Sequence, residues 1–104
     1  GKVRQALQDM VDLGVDATDP VEPPPGGDVT YAEARAIAGD KLTLMGNLEW
    51  DRLEAADPDE IRAHIEEILS HGDRRLILGA SAGPISRITP RLAANYRAWI
   101  DAAT

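Results

Sequence analysis

Five polar residues stand where this chain can act on a small molecule: Asp19 and Glu22 in a proline-rich stretch, Asn47 and Glu49 just past an apolar run, and Ser81 among alanines and glycines. Carboxylates and a carboxamide supply the acceptors and donors that orient a polar ligand. Ser81, with the backbone N–H groups of a small-residue turn, suits a phosphate or carboxylate oxygen. Each residue also has a structural use, because Asp and Glu close loops and cap helices and Asn47 can satisfy loop backbone. Gly79-Ala80-Ser81-Ala82-Gly83 has the G-x-S-x-G form of a hydrolase elbow, but Pro84 and Pro90 delay the required helix and no histidine follows Ser81. His64 and His71 fall in one helical stretch away from these loops and read as surface and helix-end residues. The residues named form a substrate-binding set; the catalytic groups themselves are not identified.

These side chains must be positioned by elements, and the elements are legible. Val3, Leu7, Met10 and Val11 follow helical spacing up to a stop at Gly14. Three apolar strands come next, over Val15–Thr18, Leu42–Gly46 and Leu76–Gly79, each followed by an amphipathic helix. Thr30 with Glu33 has capping-box form and opens a helix through Ile37 that stops at Gly39. Asp57, Pro58 and Glu60 start another, with Ile61, Ile65, Ile68 and Leu69 on one face and His71-Gly72 at its close. Thr89-Pro90 opens the last, where Leu92, Tyr96, Trp99 and Ile100 form a stripe that packs on the sheet. Asn47 through Ala56 reads as a loop, so connections after strands run about ten residues, longer than the usual 2–6 or so. Ligands of α/β folds bind outside the carboxyl ends of strands, where these loops lie.

Composition bounds the rest. At 104 residues and 43% hydrophobic content the chain builds one modest core, so residues 1–104 read as a single unit. A net charge of -7 with no basic run argues against nucleic acid and anionic membrane partners. Absence of cysteine removes disulfides, thiolate metal sites and a cysteine nucleophile. No apolar run approaches the roughly 18 residues of a membrane span. The expectation is an acidic, cytoplasmic chain that binds a small-molecule substrate and calls for no cofactor and no metal. Gly1 leads straight into a helix and reads as a cleavage boundary.

Alternating strands and helices make an α/β fold with a parallel sheet. A (β/α)8 TIM-type barrel takes about 250 residues, about 30 per unit, so three consecutive βα units with a leading helix read as the carboxyl-terminal part of one. Asp19-Pro20-Val21-Glu22-Pro23-Pro24-Pro25-Gly26-Gly27-Asp28, Leu44-Met45-Gly46-Asn47-Leu48-Glu49 and Leu78-Gly79-Ala80-Ser81-Ala82-Gly83-Pro84, in that order, resemble the carboxyl-terminal part of the uroporphyrinogen decarboxylase family. The resemblance implies a barrel whose first five or so units lie outside this chain, along with the family's catalytic aspartate and substrate-binding arginine. It also implies a decarboxylase acting on a tetrapyrrole or related substrate or, as a same-fold alternative, a corrinoid-dependent methyltransferase. In the decarboxylases a Gly-His-Gly follows the last strand, and in the methyltransferases a Gly-Cys-Gly supplies a zinc thiolate; here Ala82 holds that position and can do neither. Acidic loops suit pyrrole N–H groups, small polar substrates or a metal better than a polycarboxylate. A reading of a different class is a non-catalytic α/β domain that binds a metabolite or partner, its open sheet edges predicting a homodimer or a strand-exchanged oligomer.

Overall fold

The computed structural model describes residues 1–81 and 87–104. Helix α1 (Arg4–Leu13) leads into strand β1 (Ala17–Val21), helix α2 (Tyr31–Ala38) and strand β2 (Thr43–Leu48). Helices α3 (Trp50–Ala55) and α4 (Pro58–Leu69), strand β3 (Leu76–Ala80) and helix α5 (Pro90–Ala103) complete the order. The strands form one parallel sheet in the order β1-β2-β3. This is the mixed α/β architecture that the strand–helix alternation demands, compatible with part of a TIM-like fold.

Sequential parallel strands joined by right-handed crossovers carry their helices to one side. Leu42, Leu44 and Leu48 point to that side and meet Leu7, Tyr31, Leu53, Ile61, Ile65, Ile68 and Leu92 in a single buried core. Met45 and Ile77, paired across β2 and β3, point the other way, where Ile77 is 48% exposed. One sheet face is therefore covered by helices and the other is open.

Helix starts follow the sequence closely. Glu33 N–H donates to Thr30 Oγ1 at 3.1 Å and Glu33 reaches back to Thr30 N–H at 3.2 Å, a complete capping box. Asp57 and Glu60 repeat it, and Leu92 N–H donates to Thr89 Oγ1 at 3.1 Å. Asp28 accepts from the N–H groups of Val3 and Arg4 at 2.7 and 3.2 Å, tying the proline loop to the start of α1. Those backbone donors hold the Asp28 carboxyl below the usual range.

Three expectations are corrected. All strands end later than the apolar runs suggest: β1 continues through Pro20 to Val21, and β2 runs to Leu48 and so includes Asn47. The segment after β2 holds helix α3 rather than an open loop. Its last carbonyls are satisfied from α5, where Asn95 Nδ2 donates to Leu53 O and Ala56 O at 2.8 and 2.7 Å. Without that tertiary partner a six-residue helix is marginal, which is why local pattern misses it. Tyr96 and Trp99 stack at 5.5 Å, with Tyr96 edge-on to Trp50 at 6.3 Å, so this aromatic pair packs α5 on α3 rather than on the sheet.

Candidate functional site

At the carboxyl ends of β1 and β2 a cavity of about 380 Å³ opens between the prolines 23–25 on one side and Asn47, Glu49, Arg52 and His64 on the other. The β1 loop approaches it through two glycines. A side-chain carbon on Gly27 would sit 1.9 Å from the Glu22 carbonyl oxygen, and Gly27 N–H closes the turn onto Pro23 O at 2.9 Å. Gly46, at φ +139°, lets β2 pass so close to β1 that a side chain there would meet Val21 O at 2.8 Å. Backbone packing, then, delivers Asn47 and Glu49 to the cavity wall.

Asn47 is 3% exposed, and its Nδ2 is buried with no hydrogen-bond partner among the described residues. Glu49 Oε1 is in the same condition. Leaving a buried donor or acceptor unpaired costs about 1–3 kcal/mol, so such atoms at a cavity wall mark a place for a ligand or water to complete. The Asn47 carbonyl is engaged: His64, reaching across from α4, lies with Nε2 3.2 Å away. A carbonyl only accepts, so Nε2 carries the proton. Burial holds the His64 imidazole below its ordinary pKa, opposed by the bond to Asn47 and reinforced by Arg52. Arg52 pairs across solvent with Glu60 at 3.4 Å.

Of the five residues predicted for binding, Asn47 and Glu49 line the cavity. Glu22 stands close by, since a side-chain carbon on Gly26 would lie 3.1 Å from Glu49 Oε1 and 4.0 Å from Glu22 Oε2. Ser81 N–H donates to Leu48 O at 3.0 Å, and Ser81 Oγ accepts from Trp50 N–H at 3.3 Å, so the serine tops α3 beside Glu49. Asp19 is exposed within β1 and does not line the cavity. Ala82, where the resemblance implies a histidine or a cysteine, lies outside the described residues.

His64 is the residue that sequence reading missed. The signal was present: Ile61, His64, Ile65 and Ile68 make the full i, i+3, i+4, i+7 stripe, so His64 had to face the interior with the isoleucines. His71, in contrast, sits at the end of α4 as expected, with Nε2 2.8 Å from Glu67 Oε1. Among the described residues no cluster of three or more His, Cys, Asp or Glu side chains has metal-binding geometry, and no helix is long and apolar enough to cross a membrane.

A second cavity, of about 320 Å³, lies at the amino ends of the strands between Arg35, Asp40, His71, Asp73, Arg74 and Arg75. Arg35 is spent there on structure, donating to Tyr31 Oη and to the carbonyls of Gly39, Leu42 and Arg75. Its guanidinium thereby ties α2 to the backbone that enters β2 and β3. The family model for uroporphyrinogen decarboxylase (URO-D) matches residues 1–104, the length of the chain. Comparison with curated proteins gives no match.

Proposed function

The chain belongs to the uroporphyrinogen decarboxylase family, and from that membership we propose that it supplies substrate-pocket loops to a decarboxylase-like carboxy-lyase acting on a tetrapyrrole or related substrate. The observation carrying this reading is the convergence of Asn47, Glu49 and His64, with Glu22 close by, on a cavity at the carboxyl ends of parallel strands. In this reading the work is done in the cytoplasm, and groups outside this chain complete the site.

Decarboxylation breaks a carbon–carboxylate bond, leaves the electron pair on the substrate and then returns a proton to that carbon. Asn47 and Glu49 hold the substrate through donor and acceptor, Glu22 adds negative charge beside them, and prolines 23–25 form the opposite wall. His64 keeps the Asn47 backbone in place.

The test is release of carbon dioxide from uroporphyrinogen by the whole protein, compared with Asn47→Ala and Glu49→Gln. Each substitution is expected to lower kcat/KM by about tenfold or more, the equivalent of one buried hydrogen bond, with little change in melting temperature. No carbon dioxide from the unsubstituted protein, together with methyl transfer to cobalamin, would move it to the corrinoid-dependent branch.

A further inference from the structure

We propose that Arg52 is a specificity-determining residue of this cavity: its guanidinium receives a carboxylate arm of the substrate at the mouth, giving up Glu60 to do so. The inference rests on the reading that the cavity belongs to the substrate pocket, and it names the residue that fixes which part of the substrate stays outermost.

Three observations carry it. The first is placement. Arg52 lines the cavity with Asn47, Glu49 and His64, yet its side chain is 52% exposed, so it stands where the cavity meets solvent. The second is the partner it holds now. Arg52 Nη2 lies 3.4 Å from Glu60 Oε2, longer than a close charge-assisted bond, and the Glu60 side chain is 49% exposed. A pair in that setting is weak. Glu60 also has other work, accepting from Asp57 N–H in the capping box of α4, so it keeps a partner when the guanidinium leaves. The planar fork of an arginine matches a carboxylate through two parallel bonds, which a single loose contact with Glu60 does not provide.

The third is the division of charge along the cavity. Glu49 Oε1 is buried, and Glu22 stands near it across Gly26, so a carboxylate pushed inward meets like charge. At the mouth the sign reverses. Burial favours the uncharged form of His64, which leaves Arg52 as the standing cation among the lining residues described. Glu49 and Arg52 are the cap position and the third residue of α3, so one short helix start presents both signs to the same cavity. An arm bearing a carboxylate is therefore held outermost, and the uncharged or N–H-bearing part of the substrate goes inward.

The experiment adds pyrrole-3-acetate or its methyl ester to the whole protein, labelled with ¹⁵N, at pH 7 and low ionic strength, and follows the Nε–H signal of Arg52. The acetate carries one N–H and one carboxylate arm; the ester lacks only the charge. The acetate is expected to shift the signal in a saturable manner and to bind about tenfold more tightly than the ester. Arg52→Gln, followed through the ligand's own proton signals, is expected to erase that preference. Glu60→Gln keeps an oxygen for the Asp57 cap while freeing Arg52, and is expected to tighten acetate binding about two- to fivefold. An arginine that merely tied α3 to α4 would make both substitutions act alike. Equal binding of acetate and ester, a preference that survives Arg52→Gln, or no gain in Glu60→Gln overturns the proposal, as does no binding of the acetate at about 100 mM. The acetate–ester comparison needs no variant, so it stands even where Arg52→Gln fails to fold. Arg52-dependent acetate binding without carbon dioxide release from uroporphyrinogen counts against the decarboxylase reading alone, and carbon dioxide release without that dependence counts against this inference alone.

Discussion

His64 ties the chemistry of the cavity to pH. Its imidazole titrates below the ordinary value of 6.5 because burial penalises the cation. The folded protein thus binds fewer protons than the unfolded chain just below pH 6.5, so stability is full above that value and falls as pH drops toward the folded pKa. Asp28, Glu33 and Asp57 also titrate low in the fold, but against reference values of 3.8, 4.5 and 3.8, so their contribution is lost only at more acid pH. We expect thermal unfolding to show two separate losses on acidification. His64→Gln should remove the one just below pH 6.5 and leave the lower one in place; a His64→Gln profile identical to the parent would show that another group causes it. Glu49 and Asn47 are legible as candidates because a polar pair follows an apolar run. That their buried atoms lack partners among the described residues is a property of what surrounds them, which no local pattern carries.

At the scale of elements, the helix caps and the glycine-rich turn make separable claims. Thr30→Ala should cost about 1 kcal/mol by urea denaturation, and Asp57→Ala should also lower stability, since each removes a cap with a reciprocal partner. Gly27→Ala should be worse, because its new carbon falls on the Glu22 carbonyl oxygen and the turn carrying Glu22 to the cavity must shift. Turnover should therefore fall in Gly27→Ala more than in Thr30→Ala, measured as carbon dioxide release. The caps were readable because capping is local chemistry between residues three apart. Helix α3 was not, because its end is capped by Asn95 from α5, some forty positions along the chain.

Over the whole molecule the sheet has a covered and an open face. Leu44, fully buried on the helical side, and Ile77, 48% exposed on the other, serve as reporters. Leu44→Lys should unfold the chain, since it places a charge in the core. Ile77→Lys should change stability by less than about 0.5 kcal/mol in urea denaturation, as exposed positions do. A loss of about 2 kcal/mol or more would show that the open face is covered in solution, and sedimentation of the two forms would then show whether a second copy covers it. Ile77 also explains why the strand pattern looked continuous rather than alternating: β3 carries apolar residues on both faces, as strands of a parallel sheet do.

The sequence by itself determined the alternation of strands and helices, the capped helix starts, the end of the sheet that carries the long connections, and, through its ordered motifs, the family. These are consequences of near-neighbour chemistry and periodicity, which short windows of sequence record. Only the tertiary structure decided that Asn47 belongs to β2, that Asp19 stays out of the cavity, and that Ser81 tops a helix. Each of those depends on which distant segment occupies the space beside a residue, and that is settled by packing three strands and their helices into one core.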